Sequence, residues 1–509
     1  MINIPDISGE SFWLVSPILI YSLLAFISLV WGSMAPNAAA KASTWLGMLG
    51  SVAIMGIVGQ QWGELSASKL VFADMVSADR FSLFFTGLTA LITLLVLPLL
   101  RDYFEDEGIH VGEAYTLLFF CSAGIIMLAM SNDLMMLFIA VELMSLSAYV
   151  LTGFNRGNFT CIEGALKYFI LGSFASGILL FGIAFIYGAT GTTNIAEIGQ
   201  LLTRVDGLSS AMEALGRNPR LTPEVLPYGV VLLLIGMAFK IGSAPFHMWV
   251  PDVYQGAPAP VTAYMSTGVK AAALAAFLRI LMEALPNISD MWEPIIIALS
   301  LLTMIIGNVA ALVQRDVKRM LAYSSVAHGG YAMTGFLALG QGDAAGASGI
   351  LLYMVAYAVM NIGAFAVLVH LQQKATLEVT DLDSYGGLGF KFPVLGAAMT
   401  LFMLSLGGLP PTAGFVAKFN LFSAVVNAGH TGLIILALVT SMASMYYYLR
   451  VVVYLYMRPE HGEVNLRSSM MPTIIIGASA LAVLAIGLFP SSGPFQFIQW
   501  ARASVLALL

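Results

Sequence analysis

What this chain can fold into is bounded by its apolar runs. There are about fourteen, each near the roughly 20 residues that cross a bilayer as a helix. Lipid offers the backbone no hydrogen-bond partner, so only helices or closed barrels span it. These runs have helical length, unlike the roughly 10-residue alternating segments of a barrel. Of the 509 residues 59% are hydrophobic and 10% charged, against about 25% charged in soluble domains. The sequence predicts an all-α polytopic membrane protein.

The expected spans are 12–32, 43–62, 79–100, 112–130, 133–153, 162–188, 227–250, 260–284, 294–313, 320–340, 345–371, 392–427, 431–457 and 470–489, with a short amphipathic tail from Phe495 to Leu509. Asp6 and Glu10 precede the first run without a basic residue, so that run reads as a retained helix rather than a signal peptide. The net charge of -6 comes with no basic patch, which argues against nucleic acid as a partner. Cys121 and Cys161 stand alone, without CxxC spacing, and read as packing residues rather than metal or cluster ligands.

Loops after odd-numbered spans carry ten basic residues: Lys41, Arg101, Arg156, Arg315, Lys318, Arg319, Lys374, Lys391, Arg458 and Arg467. The other side carries six: Lys69, Arg80, Arg204, Arg217, Arg220 and Arg502, three of them in the long loop 189–226. The positive-inside bias puts the odd exits in the cytoplasm and both termini outside.

Two spans are interrupted. The seventh contains Gly242 and Pro245, and the twelfth contains Gly407, Gly408, Pro410 and Pro411. They are five spans apart, so they cross in opposite directions. Gly/Pro-interrupted spans at corresponding places in two halves point to inverted repeats with an ion site at their interface. The expected organisation is three helices in 1–111, a first repeat of spans four to eight in 112–284, a second of spans nine to thirteen in 294–457, and a last helix with its tail in 458–509.

A charge at the bilayer centre costs at least about 2.5–3.5 kcal/mol, so a charged residue there is a functional candidate. Glu142 is the one acidic residue deep in any span. Lys240 and Lys270 are central in theirs, and Lys418 follows the second break by about two turns. Lys167 lies nearer its span end, where snorkelling to the interface is an alternative. A lysine held between burial and a neighbouring carboxylate can take up and release a proton as its neighbours change charge. His247 stands just past the first break, and His328 lies in span ten beside Tyr323, Ser324 and Ser325; both read as candidate proton shuttles. The competing reading is a set of permanent ion pairs that fix helices together. Walker A and dinucleotide-binding patterns are absent.

Three stretches, FKIGSAPFHMWVPDVYQGAPAPVTAYMSTGVKAA, RDVKRMLAYSSVAHGGY and LSLGGLPPTAGFVAKF, resemble the antiporter-like, proton-translocating membrane subunits of respiratory complex I. The likeness runs over spans four to thirteen. It implies fourteen helices in two inverted five-helix repeats, with helices seven and twelve broken. It also implies a proton path through Glu142, Lys167, Lys240, His247, Lys270, His328 and Lys418, in which Glu142 pairs with Lys167 and Lys240. The resemblance implies no cofactor on this chain: NADH, flavin, iron–sulfur clusters and quinone belong to partner subunits. Implied partners are other membrane-arm subunits, an antiporter-like subunit of the M type and small membrane subunits among them, in a bacterial inner membrane. The M type carries a glutamate where this chain has Lys418. Multisubunit sodium/proton antiporters share the broken helices and the Glu/Lys pairing, so a subunit of such an antiporter is the alternative.

Overall fold

The computed structural model describes residues 8–65, 67–108, 112–202, 207–216, 218, 221–339, 344–373, 378–461, 463–491 and 496–508. Among them, twelve helices are long and apolar enough to cross a membrane, and they correspond to spans one to nine, eleven, thirteen and fourteen. Span ten is helical over Val317–Thr334 but too polar to count by that measure, and span twelve is split into Pro393–Gly407 and Ala413–Asn427. The fourteen expected segments are therefore all helical. Arg204, Arg217, Arg220, Lys374 and the ends of the tail at Phe495 and Leu509 lie outside the described residues. Phe497–Val505 between those ends forms a helix.

Both breaks end the same way. The helix Leu226–Ile241 stops at Gly242 (φ 78°), whose N–H is donated to Ala238 and Phe239 carbonyls. Pro393–Gly407 stops at Gly408 (φ 89°), which donates to Leu404 and Ser405. Left-handed backbone is open to glycine and strained for other residues. The chain resumes after the first break as Trp249–Gly256, six residues beyond the expected end at 250. Ala257, extended before Pro258, ends it.

Strand pairing is confined to the loops and obeys the span count. One ribbon, β1 (Lys69–Val71) with β2 (Val76–Ala78), lies between spans two and three. The other joins β3 (Leu371–Gln373), after span eleven, to β4 (Val464–Leu466), after span thirteen. Isolated bridges join Val76 to Ser131, Asp133 to Asn194 and Asp316 to Asp381. Every one of these contacts links loops of the same parity, as loops on one membrane face must. Asp133 and Asp316 also cap the spans they precede, accepting from Met135 N at 2.8 Å and Arg319 N at 2.7 Å.

Spans eight and eleven form the axis, with 94% of their most apolar stretch buried against 22% for span one. Small residues let neighbouring helices close around it, span six on seven and span nine on ten. A Cβ on Gly182 would stand 2.7 Å from Leu233 N, and one on Gly307 would stand 2.6 Å from Ala327 N. Not every glycine of span six packs this way: Gly177 meets nothing within 4 Å.

Alanine at Gly242 or Gly408 should lower the thermal midpoint, because left-handed backbone costs an L-residue about 1–2 kcal/mol. Gly477, in span fourteen with open space around it, is the matched control, and Gly477→Ala should leave the midpoint unchanged or raise it. Melting curves of the three purified variants check this.

Candidate functional site

Lys240 occupies the last turn before the first break and is 3% exposed. Its ammonium donates to Ser145 Oγ at 2.8 Å, Tyr149 OH at 3.3 Å and Ser176 Oγ at 3.4 Å. Ser145 and Tyr149 are four residues apart on span five, so one helix face presents both. Glu142 lies one turn earlier on that helix, close enough to act on Lys240 electrostatically. It makes no ion pair among the described residues, and its Oε1 is buried without a hydrogen-bond partner.

The expected pairing of Glu142 with Lys167 is not what the structure has. Lys167 is 42% exposed and bridges Glu163 and Asp252, each at 2.7 Å. Span six turns this lysine toward the loop face, where a carboxylate and water both reach it. His247 lies in the turn after the first break, half-buried, with Nδ1 unpartnered.

Lys270 stands directly after a π-helical turn, Met265–Val269, in span eight. Such a turn inserts one residue into the helical register and re-aims the side chains beyond it. The Lys270 ammonium is 3% exposed and donates to the carbonyl and the hydroxyl of Ser325. A Cβ placed on Gly329 would lie 3.7 Å from Lys270 Nζ and 3.6 Å from the Ile241 carbonyl, so Lys270 approaches the end of the first broken helix.

One helical turn past Ser325 is His328, 2% exposed. Its Nδ1 lies 2.6 Å from Tyr353 OH and its Nε2 lies 3.1 Å from Tyr448 OH, which in turn contacts Ser324 Oγ at 2.5 Å. A phenol can donate or accept, so both ring nitrogens stay satisfied whether His328 is neutral or protonated. Lys418 is 6% exposed. It donates to the Leu406 and Gly407 carbonyls, each at 3.1 Å, and to Ser441 Oγ at 2.9 Å. Those carbonyls are the negative end of the helix broken at Gly408. The ammonium also lies 5.1 Å from the Tyr331 ring centroid, and Tyr331 stands edge-on to His328 at 5.8 Å.

Lys240, Lys270, His328 and Lys418 are thus brought onto one buried line between the two breaks, while Lys167 stands off it and Glu142 and His247 flank its start. Sequence reasoning missed the hydroxyls that hold these groups: Ser145, Tyr149, Ser176, Tyr353, Ser441 and Tyr448. The spacing of Ser145 and Tyr149 was a usable signal, whereas Ser441 gave none.

It also missed a polar cavity of about 840 Å³ on the face of the odd-numbered exits. Glu107, Glu163, Asp252, Asp316, Arg319 and Glu378 line it. Asp252 accepts from Lys167 and, at 2.8 Å, from Arg319. Lys318, 1% exposed, pairs with Glu378 and donates to the Ala257 carbonyl. Glu378 also accepts from Ala259 N at 2.7 Å, placing a carboxylate at the N-terminus of span eight. Burial, and then the Glu378 charge, raise Glu107 above the ordinary carboxylate range.

Residues 131–444 match the family described as NADH:quinone oxidoreductase/Mrp antiporter, TM. The chain is 44% identical over 492 residues, 96% of both chains, to NADH-quinone oxidoreductase subunit N of Trichlorobacter lovleyi. It is 40% identical to subunit N of Chloroflexus aggregans, over 87% of each. Among solved structures it is similar to a chain of respiratory complex I from Thermus thermophilus, at 32% identity and TM-score 0.77, over 93% of this chain and 97% of that one. A chain of the Mrp complex from Dietzia shares the fold at TM-score 0.78 and 20% identity, over 97% of each.

The raised Glu107 has a signed consequence. A carboxyl held above its unfolded value destabilises the fold at neutral pH, where it must ionise, and ceases to do so once acid protonates it. Glu107→Gln should therefore raise the thermal midpoint at neutral pH and leave it unchanged at acid pH. Melting curves of both forms across that range check this.

Proposed function

Because the chain belongs to the NADH:quinone oxidoreductase/Mrp antiporter transmembrane family, we propose that it is the subunit N type of membrane-arm subunit in a proton-pumping NADH:quinone oxidoreductase. It moves protons along its buried line while electrons pass through other subunits. The observation that carries this reading is the placement of Lys240, Lys270 and Lys418, each almost fully buried, held by hydroxyls and backbone carbonyls and free of any carboxylate partner among the described residues. A permanent ion pair fixes a charge; an ammonium held by neutral groups can give up its proton without orphaning a buried carboxylate.

On this reading 112–284 and 294–457 are the two inverted repeats, with 1–111 and 458–509 as flanking helices. Quinone reduction in neighbouring subunits changes the field along the arm, biases Glu142 and Lys240, and passes charge by way of His247, Lys270 and His328 toward Lys418. Lys167 sits at the cavity and acts through Asp252. NADH, flavin, iron–sulfur clusters and quinone are held by partner subunits in a bacterial inner membrane, and both termini of this chain face the periplasm. Relatives at 36–44% identity carry the oxidoreductase name, whereas the Mrp likeness at 20% speaks for the fold alone. The oxidoreductase is favoured over the antiporter on that ground.

Lys240→Ala in the assembled complex, reconstituted in vesicles, tests the proposal. With assembly intact on a native gel, quinone reduction and proton uptake should fall together. Both activities persisting at their normal ratio would make Lys240 structural and remove the path.

A further inference from the structure

Hydrogen bonding along the buried line is interrupted between Lys270 and His328. From Lys270 it runs to Ser325; from His328 it runs through Tyr448 to Ser324. Beside the gap, on span eleven, is Tyr357, 1% exposed. Lys270 Nζ lies 5.7 Å from its ring centroid, and the His328 ring lies 5.0 Å away, tilted by 38°. The Ser325 side chain stands next to it. Among the described residues no group meets the Tyr357 hydroxyl at full hydrogen-bond geometry, and the Ser325 hydroxyl is the one placed to do so. The other two phenols at His328, those of Tyr353 and Tyr448, are both engaged by the ring nitrogens.

A buried hydroxyl without a partner is destabilising relative to the phenylalanine that would fill the same space. Packing alone therefore does not account for a tyrosine here. Nor does anchoring of Lys270, which already has two acceptors on Ser325. What the hydroxyl adds is a group that can donate and accept, set between a cation and an imidazole in a low-dielectric site.

We propose that Tyr357 is a proton-relay residue joining Lys270 to His328, an inference that rests on the proton-path reading above. The Lys270 ammonium gives a proton to Ser325 Oγ as the Ser325 hydroxyl proton passes to Tyr357. The phenol's own proton passes through a water to the Tyr448 oxygen as the Tyr448 hydroxyl proton passes to His328 Nε2. Each hydroxyl ends with the proton it needs, the water is conserved, Lys270 becomes the neutral amine, and His328 becomes an imidazolium donating to Tyr353 and Tyr448. One positive charge has moved from span eight to span ten.

The test compares Tyr357→Phe with Lys270→Ala in the assembled complex in vesicles, recording assembly, thermal midpoint, quinone reduction, proton uptake and the solvent deuterium effect on turnover. Tyr357→Phe should assemble with an unchanged or higher midpoint, since it deletes an unpartnered hydroxyl. It should lose roughly tenfold in reduction and uptake together, as for removal of one hydrogen bond to a charged group, with a changed deuterium effect. Wild-type rates in Tyr357→Phe beside an inactive Lys270→Ala would overturn the relay and leave the broader path standing. Normal pumping in Lys270→Ala would overturn both. Failure of Tyr357→Phe to assemble, or a lower midpoint, would make the hydroxyl structural and end the proposal.

Discussion

Among the described residues, three ammonium groups are held inside this bundle without a carboxylate in contact, and the rest of the structure answers to that constraint. Removing a charge from water costs several kcal/mol even after relaxation, so each site must return hydrogen bonds in place of hydration. Lys240 receives three hydroxyls, Lys270 a serine carbonyl and its hydroxyl, and Lys418 two helix-end carbonyls and a serine. These partners are neutral and most can reverse their hydrogen-bond direction. Lys270 or Lys418 losing its proton among them leaves behind no stranded anion, whereas Lys240 has Glu142 near it.

The opposite solution appears elsewhere in the same chain. Arg279, fully buried near the even-exit face, donates to Asp79 at 2.9 Å and Glu283 at 2.8 Å. Lys318 is paired with Glu378, and Lys167 lies between Glu163 and Asp252. These pairs tie loops to helix ends and fix charges there. Carboxylates hold cations at the faces, and hydroxyls hold them along the axis. That division separates the cations suited to structure from those suited to proton exchange.

Much of this was legible in the sequence because membrane physics leaves few options. Span count, both breaks and the depth of Lys240, Lys270 and Lys418 came from run length, glycine and proline positions and the cost of burying charge. Lys167 shows where that reasoning stops. Run length speaks to its position along the span and says nothing of its azimuth, and azimuth decides whether it meets Glu142 or Asp252. Ser441 and Tyr448 were invisible for the same reason: serine and tyrosine are common in helices, and only tertiary packing shows which one touches a cation. The π turn before Lys270 is set by packing against neighbouring helices and carries no local signature.

Breaks and lysines also solve each other's problem. A helix ended inside a membrane exposes carbonyls that lipid cannot satisfy. Gly242 and Gly408, turning left-handed, let the next N–H groups bond back, as when Ser243 N reaches Ala238 O at 2.9 Å and Leu409 N reaches Leu404 O at 3.1 Å. That leaves the outermost carbonyls, and at the second break Lys418 takes two of them. The carbonyls lower the penalty of burying the ammonium, and the ammonium lowers the penalty of breaking the helix. At the first break Lys240 faces span five and Lys270 donates to Ser325 of span ten. The first break leaves Lys240 and Lys270 to respond to neighbours on either side, and the second holds Lys418 against its own helix end.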